Sequence, residues 1–429
     1  MSLPSQTIPP QQTPRRPVVP SLSFMMFLQY AVWGVWLPYL ANYLGAPVAQ
    51  GGLGFSNTQI GWILGLAGSI GAVSAPFVAG QIADRYLNAE RALAILLLIG
   101  GILKFANAYT TNYLLFTVLS ILYSIAYMPT LSLTNSICFQ NLKDPEKSFP
   151  PIRVWGTIGW IVASVSFSWL WLSSPDKVEN THRIADALKI AGLVSLGYAV
   201  FALIALPKTP PKKDVQHPLA FARAFGLLAH PGFLLVTLVA LPIAMIHQCY
   251  FFRSGPFFED AIGVEKKYLG MVLGIGQASE IFFLAILGLL LKRMGYRWVL
   301  MLGAAAYAAR FAIFAVGTPA PLVIASQALH GLCYGCFFAG SFLYVEKVAP
   351  ADVRHSAQTV FGIIILGIGP VLAGLYNGYF DRFVDALGHQ QYGQFWWTES
   401  AIALACMLIL FVGFMLVPTP ASPTGQEPA

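Results

Sequence analysis

Glu280 sits midway along the apolar run 267–291, and it reads as the only carboxylate placed deep within such a run; the other acids fall in polar segments or near the ends of apolar ones. An ionisable side chain in hydrocarbon costs roughly 2.5–3.5 kcal/mol, so it is expected to face an interior cavity and to take part in proton or substrate handling. Gln277 precedes it by three residues and shares its helical face. A second group is Arg153, Thr157 and Trp160, whose spacing puts them on one side of a helix. Pro150 and Pro151, just ahead, suit a first helical turn. A guanidinium fork, a hydroxyl and an indole on one stripe can hold a planar polar ring, because the fork donates to carbonyls and the indole offers a stacking face. The blander alternatives are an ion pair for Glu280, an interfacial charge for Arg153 and a lipid-facing ring for Trp160.

These residues need long apolar elements to carry them. The chain has 429 residues, 57% hydrophobic and 10% charged. Soluble domains carry roughly 25% charged residues, so this composition excludes a water-soluble globule. Twelve runs approach the ~20 residues of a membrane-crossing helix: 21–44, 57–83, 89–109, 112–138, 151–173, 186–206, 230–252, 267–291, 297–317, 320–345, 355–380 and 395–417. The fold class is therefore an all-α membrane protein with twelve transmembrane helices. With alternating loops, fifteen basic residues fall on the side of the termini and six on the other, Lys177, Arg183, Arg253, Lys266, Lys267 and Arg382. That bias places both termini in the cytoplasm. The net charge of +7 is spread over short loops, which points to lipid headgroups as partners and not to nucleic acid.

The Pro- and Lys-rich segment 207–225 divides the chain into a disordered cytoplasmic tail (1–20), a six-helix half (21–206), this linker, a second six-helix half (226–417) and a C-terminal tail (418–429). Ile60-Gly61-Trp62-Ile63-Leu64-Gly65 and Leu269-Gly270-Met271-Val272-Leu273-Gly274 mark a weak repeat. Duplicated halves with a central site are a common transporter design. The five cysteines lie in or beside apolar runs and are expected as free thiols; Cys333 and Cys336 read as small packing residues. No metal or organic cofactor is implied. A receptor would need a soluble domain that the short loops do not supply, and an intramembrane hydrolase would need a nucleophile or metal constellation that is absent, so the chain is not read as an enzyme.

Several blocks resemble a known family. Gly80-Gln81-Ile82-Ala83-Asp84-Arg85 resembles the front half of the loop motif of the major facilitator superfamily, without its trailing Gly-Arg/Lys. Leu28-Gln29-Tyr30-Ala31-Val32-Trp33-Gly34, Tyr127-Met128-Pro129-Thr130, Phe149-Pro150-Pro151-Ile152-Arg153-Val154-Trp155-Gly156-Thr157, Gln277-Ala278-Ser279-Glu280, Val345-Glu346-Lys347 and Ser356-Ala357-Gln358 resemble the nucleoside:proton symporters of that superfamily. The matches run in order along almost the whole chain.

The resemblance implies two pseudo-symmetric halves, nucleoside and proton as substrates, and an inner-membrane protein that works as a monomer. It assigns substrate contacts to Arg153, Thr157, Trp160, Gln248, Gln277, Glu280, His330 and Tyr334, proton coupling to Glu280, and a gating staple to Asp84 and Arg85. Where the family's best-studied subgroup has an aspartate after the aromatic at 334, this chain has Gly335, so coupling would rest on Glu280. His247 is expected at the interface, and Lys104 and Arg310 as buried charges, Arg310 paired with Glu346. Another small polar solute, such as a sugar, is the alternative cargo; a membrane receptor is the alternative outside transport.

Overall fold

The computed structural model describes residues 18–78, 87–210, 226–350, 354–386 and 392–417. The tails 1–17 and 418–429, most of the linker, and Asp84 and Arg85 lie outside the described residues. Among those described there is no strand. The helices are α1 (Val18–Gly45), α2 (Asn57–Ala75), α3 (Ala89–Asn107), α4 (Tyr113–Asn141), α5 (Pro145–Trp171), α6 (Lys177–Ala205), α7 (Pro231–Ala261), α8 (Lys266–Val316), α9 (Ala320–Val348), α10 (Ala357–Phe380) and α11 (Tyr392–Leu416). Ten of them are long and apolar enough to cross a membrane. The other, α3, is a 19-residue apolar helix that also carries Glu90, Arg91 and Lys104.

Sequence chemistry explains the boundaries. Ser56 opens α2 with a capping box closed by Gln59, and Asn112, Asp144 and Asp176 each accept a backbone N–H at the start of α4, α5 and α6. The 51 residues of α8 would extend about 75 Å as one rod, far beyond the ~30 Å of a hydrocarbon core. Gly295 breaks it, with φ 72° and ψ 170°, a conformation open to glycine and costly for other residues. The result is two arms on either side of Gly295, matching the two sequence-predicted runs 267–291 and 297–317. The outer surface is rich in Leu, Ile and Val, for example Leu98, Ile102, Leu170, Leu203, Ile204 and Val412. All five cysteines are free and buried.

Helices α1–α6 pack mainly among themselves, as do α7–α11. Three pairs make most of the junction between the two groups, α5 with the first arm of α8, α2 with α10, and α1 with α7, and α1 also touches α8. Each seam is made by glycine. A Cβ on Gly61 would lie 2.6 Å from the Gly374 carbonyl oxygen, and one on Gly270 would lie 2.6 Å from both the Ser164 carbonyl oxygen and the Tyr39 hydroxyl. Those contacts, with Gly255 against Asn42, lie toward the end of the bundle remote from Val18 and Leu416. Two hydrogen bonds link the groups there, Asn42 Nδ2 to Glu259 Oε2 at 2.8 Å and Asn377 Nδ2 to the Asn57 carbonyl at 3.2 Å.

Gly61→Ala should cost about 1–3 kcal/mol through overpacking of the α2–α10 seam. Gly68→Ala, where no heavy atom lies within 4 Å of the new Cβ, should instead stabilise α2 by about 0.5–1 kcal/mol. Thermal unfolding of the two purified variants in one detergent separates these outcomes.

Candidate substrate and proton site

The stripe Arg153–Thr157–Trp160 continues along α5 into Ser164 and Ser168, and it faces the first arm of α8. The two helices run antiparallel. Ser164 and Ser168 lie against Gly270, and Ile161 and Val165 against Gly274. Each step down α5 is therefore matched by a step forward along α8, which levels Trp160 with Gln277 and Thr157 with Glu280 and leaves Arg153 about one turn beyond, within electrostatic reach of that carboxylate.

Thr157 and Trp160 are buried, and Arg153 is half-buried. Trp160 is 7% exposed whereas Trp155, on the opposite face, is 45% exposed, so Trp160 is not the lipid-facing ring. Its backbone is seated on Gly34 of α1. The Arg153 guanidinium lies 4.2 Å from the centre of the Tyr30 ring, also on α1. The motif residues around Tyr30 converge as well: Gln29 Nε2 donates to Thr130 Oγ1 at 2.8 Å, and the Tyr127 hydroxyl donates to the Gln29 carbonyl.

Glu280 is 8% exposed. Arg153 acts on it electrostatically, and Tyr30 and Tyr334 both feel its charge. Among the described residues it accepts no hydrogen bond, yet its oxygens are not among the sealed unpartnered atoms. They therefore reach open space between α5 and α8.

Gln277 is fixed by a chain that sequence reading did not foresee. Arg310, on the second arm of α8, is fully buried. One of its nitrogens donates to His330 Nδ1 at 2.9 Å, and another donates to Gln327 Oε1. Tyr250 lies beneath the guanidinium at 4.0 Å and also donates to Gln327, at 3.3 Å. Arginine has no acceptor, so His330 Nδ1 must be the unprotonated nitrogen and Nε2 carries the hydrogen. Nε2 lies 3.4 Å from Gln277 Nε2, so two donors face each other, and turning the Gln277 amide end for end would present its oxygen to His330 and its hydrogens away from it.

Tyr334 is half-buried, 6.2 Å from His247 and 5.9 Å from Phe338 between ring centres. Gly331 lets α9 close on α8, where its N–H donates to Ser279 Oγ at 3.0 Å. Gln248 is half-buried and has no hydrogen-bond partner among the described residues. It lies seven residues before Gly255 and so on the face of α7 that meets α1. Seven of the eight candidate residues sit along this interface, Arg153, Thr157 and Trp160 from α5, Gln277 and Glu280 from α8, Gln248 from α7 and Tyr334 from α9, whereas His330, 1% exposed, is sealed behind Gln277. Such a chamber offers a cation and amide donors to carbonyl edges, a carboxylate to N–H or hydroxyl groups, and aromatic faces to a planar ring.

The family model for the nucleoside H+ symporter matches residues 18–417. The chain belongs to the nucleoside:proton symporter family. It is 34% identical to YegT of Escherichia coli (strain K12), with 92% of each chain covered. It is 31% identical to the xanthosine permease of the same organism, over 92% of this chain and 95% of the relative. The crystal structure of the nucleoside transporter NupG superposes with a TM-score of 0.79 at 27% identity, covering 93% of this chain and 99% of that one. The family is one of transporters, not of enzymes.

In this symporter three expectations need correction. His247 is not an interfacial residue: its Nδ1 lies 2.6 Å from the Tyr307 hydroxyl, and its ring stacks on His330 at 5.5 Å. Arg310 does not pair with Glu346, which is exposed; its partners are Gln327, His330 and the Tyr250 ring. Glu280 is not the only deeply placed acid, because Glu399 on α11 is 0% exposed. Lys104 is a buried charge as expected, held 3.5 Å from the Trp36 ring centre and 4.0 Å from that of Tyr123.

Arg310→Met should leave Gln327 and His330 buried without their donor, at about 1–3 kcal/mol each. Arg310→Lys should fail to rescue, since an ammonium lacks the planar fork that reaches both. Thermal unfolding checks the stability loss, and nitrogen NMR of labelled His330 checks for the Nε2–H tautomer.

Proposed function

We propose that this transporter carries nucleosides inward across the bacterial inner membrane by proton symport, with alternating access between two six-helix halves. The ten spans, α3 and the break in α8 support twelve crossings: α1–α6 make one half, and α7–α11, with α8 counted twice, make the other. The basic bias of the sequence supports cytoplasmic termini. In that orientation the glycine seams close the periplasmic end, and the chamber opens toward the cytoplasm. Among the described residues, both hydrogen bonds between the halves lie at the closed end.

The observation that carries this reading is Glu280 on α8 level with Thr157 and under the electrostatic influence of Arg153, both on α5, across the seam that must open and close. A nucleobase would sit between Arg153, Thr157 and Trp160 on one side and Gln248, Gln277 and Glu280 on the other, with His330 and Tyr334 behind. Glu280, wet and facing a cation without touching it, can exchange its proton as substrate enters and leaves. Gly335 brings no acid to this wall. Asp84 and Arg85 would staple the cytoplasmic ends in the opposite conformation. The protein would work as a monomer. One charge moving through about 100 mV supplies roughly 2.3 kcal/mol, near fortyfold accumulation.

The test is uptake of labelled uridine into proteoliposomes under an imposed proton gradient, with a protonophore control and with sugars as competitors. Glu280→Gln should lose accumulation while keeping exchange of labelled for unlabelled nucleoside. Wild-type accumulation in that variant would sink the coupling assignment. Arg153→Lys should raise the half-saturating concentration about tenfold or more, since hydrogen bonds to charged groups are worth about 1.5–3 kcal/mol. Inhibition by sugars but not by nucleosides would overturn the cargo.

A further inference from the structure

Glu399 has no task in the chamber described above. It lies near the start of α11, 0% exposed, and both of its oxygens are sealed from solvent without a hydrogen-bond donor. Charged and titratable groups face it from two neighbouring helices, Cys249 and Arg253 on α7 and Tyr376 on α10. The Cys249 thiol lies close enough to reach the carboxyl but is directed to the Ala373 carbonyl at 3.9 Å, and neither Arg253 nor Tyr376 donates a hydrogen bond to it. Arg253 donates to Asn377 Oδ1 at 2.6 Å and acts on Glu399 only from a distance. The second arm of α8 meets this part of α11 through the Ala308 carbonyl, which accepts from Ser400. That arm brings no titratable group to Glu399 among the described residues. The Tyr376 hydroxyl and the Trp396 indole nitrogen are likewise sealed and unpartnered.

A bare carboxylate in such a setting would cost several kcal/mol; a neutral carboxylic acid costs far less. A route for the proton is at hand. A cavity of about 440 Å³ at the end remote from the termini is lined by Arg253, Phe395, Glu259, Asp260 and Lys266. Cys249 lies one turn from Arg253, and Glu399 one turn from Phe395. The acid is therefore about one helical pitch, 5.4 Å, beneath the cavity floor.

We propose that Glu399 is a second proton-binding site of this transporter, loaded from that cavity and occluded in the present conformation. The proton adds to one carboxylate oxygen from cavity water and leaves from that oxygen to water when a local opening of α11 against α7 and α10, within the same helix group, uncovers it. Glu399 would serve together with Glu280, so this inference rests on the symport reading for its role in transport. Its role as a proton site stands apart from the nature of the cargo.

Infrared spectra of the purified protein at neutral pH should show a protonated-carboxyl band that Glu399→Gln removes and Glu399→Asp retains. In proteoliposomes, Glu399→Gln should keep nucleoside exchange but accumulate about fortyfold less at an imposed potential of about 100 mV, the worth of one proton charge. An infrared spectrum of Glu399→Gln that overlays the wild type overturns the proposal, as does gradient-driven accumulation at the wild-type level. Failure of the cargo reading is distinguishable: wild-type protein would then move no nucleoside, while the infrared assignment would stand.

Discussion

A charge taken into hydrocarbon must meet water or a partner inside the protein, and the packing of α5 on the first arm of α8 decides how Glu280 does so. Gly270 allows the two backbones to approach where Ser164 and Tyr39 leave no room for a side chain. That close approach sets the register of the whole seam. Thr157 then comes level with Glu280 and Trp160 with Gln277, and Arg153, one turn on, stays within electrostatic reach of the carboxylate. A bulkier residue at 270 would push the arginine and the carboxylate apart, and the chamber would lose its two-walled chemistry.

Behind the wall lies a rigid polar support. Arg310, Gln327, Tyr250 and His330 bond one another in a dry setting, where each unmade hydrogen bond is expensive and only Arg310 Nε and Gln327 Nε2 of the cluster's side-chain groups are sealed without a partner. Because arginine only donates, the polarity of the chain is determined outward to Gln277: His330 accepts at one nitrogen and donates at the other. The orientation of one chamber amide is thereby decided by a cation on a different arm of the same helix. His247, stacked on His330 and bonded to Tyr307, packs the support laterally. The glycine seams have the opposite character. They carry few directional bonds between the two helix groups, so those groups can separate without breaking a network. A firm wall and a loose seam are what rocking motion about a central site requires.

Much of this was legible in the chain. Apolar runs about 20 residues long announce spans, because the bilayer sets their length. Glu280 and Arg153 stood out because charges are rare in such runs, and Thr157 and Trp160 followed from helical spacing. Glu399 escaped notice because it lies five residues into the run 395–417, where an acid is easily taken for a span-end residue. Only the packing of α7 and α10 over it shows that it is sealed. The partners of Arg310 were equally hidden. Gln327 and His330 lie on the next helix, α9, and nothing in local spacing predicts that an arginine on the second arm of α8 turns toward them and away from Glu346.

Composition and periodicity determined that this is a bundle of membrane helices, where each begins, and which faces carry chemistry, because those properties depend on solvent and on near neighbours along the chain. The antiparallel register of α5 against α8, the tautomer of His330 and the sealing of Glu399 were decided only by tertiary structure. Each depends on which backbones approach one another, and that is a matter of side-chain volume at contacts between residues remote in sequence, as at Gly61 with Gly374 and at Gly270 with Ser164.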